Sequence, residues 1–125
     1  MKVLVVDDDR SGRDILDRML SRDGHQVIHA SDGQRALVSL EDNPGIGLVI
    51  TDVMMPNLDG RGLVRELRGR PEFAALPIIV VSGKVGIKAI SEILELGAMR
   101  FMGKPVRHNE LRSVIEQITR TTIAS

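Results

Sequence analysis

The chain has 125 residues, 42% hydrophobic and 27% charged, with seventeen basic side chains balanced by seventeen acidic ones and no cysteine. This length suits one compact domain, the composition excludes a disordered chain, and the balanced charge excludes capture of nucleic acid or anionic membrane by bulk electrostatics. With Phe73 and Phe101 as the only aromatic residues besides histidine, there is little surface on which bases or flavins could stack. No apolar run approaches bilayer-spanning length and no basic-then-apolar leader opens the chain at Met1-Lys2-Val3, so a cytoplasmic location is the expectation.

In chain order, Val3 to Val6 reads as a first strand, Gln26 to Ala30 as a weaker second, Gly47 to Thr51 as a third, Pro77 to Val81 as a fourth and Met99 to Met102 as a weaker fifth. The strong runs are rich in β-branched residues and lack polar alternation, which predicts strands buried on both faces. Between them, apolar residues recur at helical spacing: Ile15, Leu16, Met19 and Leu20, then Ala36, Leu37 and Leu40, then Leu63, Val64 and Leu67. Ile87, Ile90, Ile93 and Leu94 form a fourth stripe, and Leu111, Val114, Ile115 and Ile118 a fifth. Ser31-Asp32 and Asp59-Gly60 offer capping oxygens at helix starts, and Gly24, Gly69 and Gly97 stand where helices should stop. Five alternations of strand and helix predict a doubly wound α/β domain with a parallel five-stranded sheet and right-handed crossovers. Ligands of such sheets bind beyond the carboxyl ends of the strands, where strand order reverses.

The residues that follow the strands are chemically distinctive. Asp7-Asp8-Asp9 follows the first, Asp52 the third, Ser82-Gly83 the fourth and Lys104-Pro105 the fifth. Carboxylates gathered at one edge repel one another unless a cation lies between them, and Mg²⁺ favours one or two carboxylates, water and phosphate oxygens. A lysine and a hydroxyl beside them suit phosphoryl chemistry, the lysine as a point charge and Ser82 as a hydrogen-bond partner. Taken singly, each residue has a plain structural reading. The three aspartates can cap a helix, Asp52 can cap a turn before Pro56, Ser82 can bond nearby backbone, and Lys104-Pro105 can be a loop.

Val5-Val6-Asp7-Asp8, the run Asp52-Val53-Met54-Met55-Pro56-Asn57-Leu58-Asp59-Gly60, and Gly97-Ala98 through Phe101 to Lys104-Pro105 match one family in order and spacing. The chain resembles the receiver domains of two-component response regulators, including the free-standing chemotaxis regulators, over essentially its whole length. The resemblance implies a flavodoxin-like receiver fold with strand order 2-1-3-4-5 and five helices, a single receiver domain over residues 1–125, and no output domain. It implies that Asp52 is the phosphoacceptor. Asp7 and Asp8 would position Mg²⁺ together with Asp52 and the backbone carbonyl of Met54, and Lys104 would bridge to the phosphoryl group, with a cis bond to Pro105. Ser82 takes the switch-hydroxyl position and Phe101 that of the aromatic that swings inward. The partners implied are a sensor histidine kinase or a histidine phosphotransfer protein, and a downstream protein target, with no direct contact to nucleic acid or membrane. Catalysis would be limited to the domain's own phosphorylation and dephosphorylation.

Some positions depart from the family pattern. Gly83 stands where alanine is commoner, which predicts a looser and wetter loop, and Ser82 replaces the commoner threonine, losing a methyl that restrains the rotamer. Lys84 either reaches toward the phosphoryl oxygens or points into solvent. Arg10, Arg13 and Arg18 read as a solvated face of the first helix, the face on which this family usually docks its phosphodonor. His25, His29 and His108 lack metal-ligand spacing and read as surface or packing residues. One alternative output is a relay shuttle that passes the phosphoryl group to a second histidine protein. Another class is an aspartate-nucleophile phosphatase, since Asp7-x-Asp9 resembles the opening motif of haloacid dehalogenase-like enzymes, although their threonine two places beyond the second aspartate is Ser11 here.

Overall fold

Short β-branched runs and amphipathic stripes alternate along the chain, and the computed structural model, which describes residues 1–83 and 86–124, converts that pattern into strands and helices in strict succession. They are β1 (Lys2–Val6), α1 (Arg10–Arg22), β2 (Gln26–Ala30), α2 (Gly33–Asp42), β3 (Ile46–Asp52), α3 (Gly60–Arg68), a 3₁₀ turn (Pro71–Phe73), β4 (Ile78–Ser82), α4 (Ile87–Leu96), β5 (Arg100–Gly103) and α5 (His108–Ala124). All four strand pairings are parallel and the order is β2-β1-β3-β4-β5, as the sequence predicts. The third strand begins one residue earlier than predicted because the register against β1 slips between Lys2 and Val3, which leaves Gly47 as the extra residue.

Strand side chains alternate between the two faces, so each face has its own core. Leu4, Val6, Val49, Ile78 and Val80 pack against Ala36, Leu37 and Leu40 of α2, Leu63, Val64 and Leu67 of α3, and Ile93 of α4. Val3, Val5, Leu48, Ile50, Ile79 and Val81 pack against Leu16 and Leu20 of α1 and Leu111, Ile115 and Ile118 of α5. Not every member of the predicted stripes is buried. Ile15 is exposed beside the loop that carries Pro105, and Ile87, the first residue of α4, is 86% exposed.

Caps set the helix starts. Asp9, Asp32 and Asp59 each accept a backbone N–H from the first turn of α1, α2 and α3, from Ser11, Arg35 and Gly62 respectively. At helix ends, Gly24 and Gly97 take positive φ (89° and 122°), whereas Gly69 closes α3 at φ −81° without the left-handed turn.

The chain leaves β1 for β2 on one side, then crosses over to β3 on the other and continues outward to β4 and β5. The reversal therefore lies between β1 and β3, whose carboxyl ends are followed by or end in Asp7 and Asp52. Leu63→Ala, at a fully buried position, is expected to lower stability by about 3 kcal/mol, seen as a fall in the urea midpoint at unchanged slope. A loss below about 1 kcal/mol would contradict the packing described.

Candidate functional site

The carboxyl ends of β1, β3 and β5 bring charged groups together in the crevice. Asp7 leaves β1 and is only 2% exposed; its backbone N–H donates to Ala30 O and its Oδ1 accepts the Asp9 N–H at 2.9 Å. Asp52 ends β3, where its Oδ1 accepts the Val53 N–H at 2.7 Å. Lys104 follows β5 and places Nζ 2.9 Å from Asp52 Oδ2 and 3.1 Å from Asp7 Oδ2. Its bond to Pro105 is cis, as the resemblance implies. Asp8 is exposed at the rim, and Asp7, Asp8 and Asp52 offer ligand oxygens that all lie within 4.8 Å of one another. The Met54 side chain points to solvent, 72% exposed, in the turn two residues beyond Asp52.

Burial pulls the Lys104 ammonium toward neutrality, but its hydrogen bonds to Asp52 and Asp7, and their charges, outweigh that pull and leave its pKa raised. One ammonium against three carboxylates leaves about two negative charges. Hard oxygen donors carrying that charge at that spacing fit a divalent cation such as Mg²⁺.

Ser82 is buried at the end of β4 and pairs in register with Gly103, while Val80, two residues earlier, pairs with Phe101. Register partners in parallel strands share a face, so Ser82 and Phe101 both lie on the α3–α4 side of the sheet, where half-buried Phe101 packs against the core. Gly83 is exposed, and a methyl on it would make ordinary contact with Lys104 Cβ at 3.6 Å. Lys84 lies outside the described residues.

The sequence reading missed three supports. Gly12 in α1 passes so close to the acid that a Cβ there would lie 2.5 Å from Asp7 Oδ2. Gly60 donates its N–H to Val53 O at 2.8 Å, and a Cβ on it would collide with the Asp52 carbonyl, so α3 can begin directly behind that residue only from glycine. Arg13 is not part of a solvated face: it is half-buried, and its Nη1 donates to Asp7 O at 2.6 Å. Neither glycine nor arginine spacing announces such a role; only the Asp59-Gly60 pair, read as a cap, gave a hint. Asp9, by contrast, is spent on capping α1, which removes it from the Asp-x-Asp arrangement of a phosphatase. His108 and Asp23 join α5 to the end of α1 at 2.9 Å, with Arg112 on the same carboxylate, consistent with a packing role.

A doubly wound parallel sheet with a carboxylate cluster under a lysine at its switch point defines a class of α/β domain with a charged site at the carboxyl edge of its sheet. The chain belongs to the response regulator receiver domain family, whose model matches residues 3–116. It is 40% identical over 122 residues to the probable transcriptional regulator ycf27 of Cyanophora paradoxa, covering 97% of this chain and 49% of that protein. Among solved structures, the response regulator receiver protein of Pseudomonas putida superposes with a TM-score of 0.87 at 35% identity, over 93% of this chain and 95% of that one. The receiver domain of a signal transduction histidine kinase from Syntrophus aciditrophicus gives 0.85 at 30% identity, over 94% and 88%. The chain spans about half, or less, of the length of the curated relatives it matches. It is thus a receiver domain of two-component signalling, a signalling module rather than a conventional enzyme, from a family that takes phosphate from histidine kinases and binds Mg²⁺ through an acidic cluster. Among the described residues no helix is long and apolar enough to cross a membrane.

Two outcomes follow from this geometry. An exposed glycine-to-alanine change in a helix stabilises by about 0.5–1 kcal/mol. At Gly12 the sign should reverse, because the new methyl must displace Asp7; a urea midpoint above that of the wild type would refute the crowding. Because the Lys104 pKa is raised in the folded state, its contribution to stability is complete below the ordinary lysine range and is lost as pH climbs through the higher folded value. Lys104→Met should therefore show less loss of stability between neutral and strongly alkaline pH than the wild type; equal losses would argue against the pairing.

Proposed function

We propose that this domain is a Mg²⁺-dependent phosphoacceptor that takes a phosphoryl group on Asp52 from a sensor histidine kinase and signals by a change of shape. The observation that carries this reading is the Asp52 carboxylate at the switch point, held by the Lys104 ammonium on one oxygen and the Val53 N–H on the other, beside Asp7 and Asp8. In the reaction a carboxylate oxygen of Asp52 forms a bond to phosphorus as the bond from phosphorus to the donor nitrogen breaks, leaving an acyl phosphate and a free imidazole. Such transfers need positioning and charge neutralisation more than covalent chemistry. Lys104 stays protonated through neutral pH and is free to shift from the carboxylate to the phosphoryl oxygens that develop beside it. Asp7, Asp8, Asp52 and the Met54 carbonyl would hold Mg²⁺, which when bound supplies positive charge to those oxygens. Asp7 is held by the Asp9 N–H, and Gly12 leaves the space its other oxygen occupies.

Signalling would run through Ser82 and Phe101. Their common face supports a path in which the Ser82 hydroxyl turns toward the phosphoryl group and Phe101 moves into the space it leaves, biasing the surface around α4 and β5 between two populations. The likeness to a receiver domain taken from a histidine kinase favours one second reading, a relay in which the group passes on to a histidine phosphotransfer protein. Back-transfer from the loaded domain to such a protein separates the two.

Incubation with acetyl phosphate and Mg²⁺, followed by intact mass, should add one phosphoryl group to the wild type and none to Asp52→Asn, nor to either protein in excess chelator. Equal uptake by Asp52→Asn would overturn the assignment. Since a methyl at Gly83 fits against the Lys104 stem, Gly83→Ala is expected to leave the unfolding midpoint within experimental error while lengthening the acyl phosphate lifetime several-fold, by shielding it from water. An unchanged or shorter lifetime would show that this loop does not control water access.

A further inference from the structure

Residues of α1, α2 and the end of β2 line a cleft of about 380 Å³: Arg13, His29, Ala30, Ser31, Arg35, Val38 and Ser39. No carboxylate lines it. Among the described residues, neither the Arg13 nor the Arg35 guanidinium lies in an ion pair, whereas Arg10, Arg61, Arg70 and Arg112 each do. The Arg13 Nε is buried without a hydrogen-bond partner, an arrangement that proteins seldom leave unanswered. The nearby acids are already engaged. Asp17 accepts from Ser21 and pairs with His29 at 2.6 Å, and Asp32 spends its two oxygens on the Arg35 N–H and the Asn57 amide. Two guanidiniums outside any ion pair, Arg13 donating from Nη1 to a backbone carbonyl and Arg35 acting on Asp32 by its charge, stand with two hydroxyls around a pocket whose exposed Val38 supplies an apolar wall.

We propose that this cleft is a binding site for a phosphate-type dianion, as free phosphate or as a small phosphate monoester, with Arg35 and Arg13 as its cationic clamps and Ser31 and Ser39 as hydroxyl donors. Guanidinium forks match tetrahedral oxyanions in a way a single ammonium does not. The site is separate from the acidic cluster, which would repel the same ligand in the absence of a divalent ion. It is nevertheless joined to it, because the guanidinium that would turn toward the anion is the one that now donates to Asp7 O. Occupancy would therefore be felt at the backbone of the acid pair, and by reciprocity changes there would be felt in the cleft.

The test is a titration of isotope-labelled wild type with inorganic phosphate, and separately with glycerol phosphate, at constant ionic strength and with chelator present, following backbone amides and arginine Nε signals. The expected result is saturable shifts at Ser31, Ser39 and the Arg13 Nε. Arg35→Gln, at an exposed side chain whose loss spares the core, should weaken binding roughly tenfold, the loss of one charge-assisted clamp. Arg13→Lys, which keeps charge but loses the fork, should weaken it several-fold. Tighter binding of glycerol phosphate than of phosphate would assign the site to monoesters, and equal binding to the free anion. Shifts that do not saturate, that appear equally in Arg35→Gln, or that are confined to the neighbourhood of Asp52 and Lys104 would overturn the proposal.

Discussion

Three carboxylates within 4.8 Å of one another, one of them almost fully buried, repel by an amount that would strain any fold not built to absorb it. At an effective dielectric of about 20, two unit charges 4.8 Å apart repel by about 3.5 kcal/mol before screening. Lys104 is the protein's own answer, a single ammonium that touches both Asp7 and Asp52 and joins residues 97 positions apart. Its charge is insufficient for all three acids, and that residual imbalance suits the divalent ion that the proposed phosphoacceptor chemistry would need. The rest of the structure can be understood as the means of holding this under-neutralised cluster in register.

That holding is achieved mostly by backbone and by glycine. The parallel ladder brings the ends of β1 and β3 side by side, and the topology opens the sheet's carboxyl edge at that junction. Gly12 lets α1 come down onto Asp7, Gly60 lets α3 start directly behind Asp52, and Asp9 and Asp59 pin both helix starts with caps. The acidic residues after β1 are thereby divided by function. Asp7 is buried and fixed, Asp8 is at the rim, and Asp9 is structural. A cluster in which all three pointed into the crevice would be harder to neutralise with one lysine.

Ser82 and Phe101 extend from this cluster toward the surface along a shared sheet face, and the same ladder that places Lys104 also places them. Arg13 extends from it in the other direction, toward the cleft between α1 and α2. The acid pair therefore has mechanical neighbours on both sides, one facing α4 and β5, the other facing β2 and α2. In the proposed reaction, a change of charge at Asp52 would alter the balance of Lys104 between its two partners.

The alternation of β-branched runs with helical stripes was enough to predict five strands, five helices, parallel pairing and the edge that carries the chemistry, because burial on both faces leaves a period that sequence displays directly. That Asp7, Asp52, Ser82 and Lys104 stand at one edge is legible because each directly follows, or ends, a strand, with Asp8 next to Asp7, and strand ends converge in this topology. Ile15, Ile87 and Leu94 lie on the predicted apolar stripes yet are exposed, since periodicity reports which face of a helix is apolar but not how far its neighbour extends to cover it. Arg13 was read as solvated and turned inward, and Gly12 and Gly60 drew no attention as supports. Their roles depend on how closely a helix approaches a carboxylate or a carbonyl from another element, and such distances are set only when the layers pack.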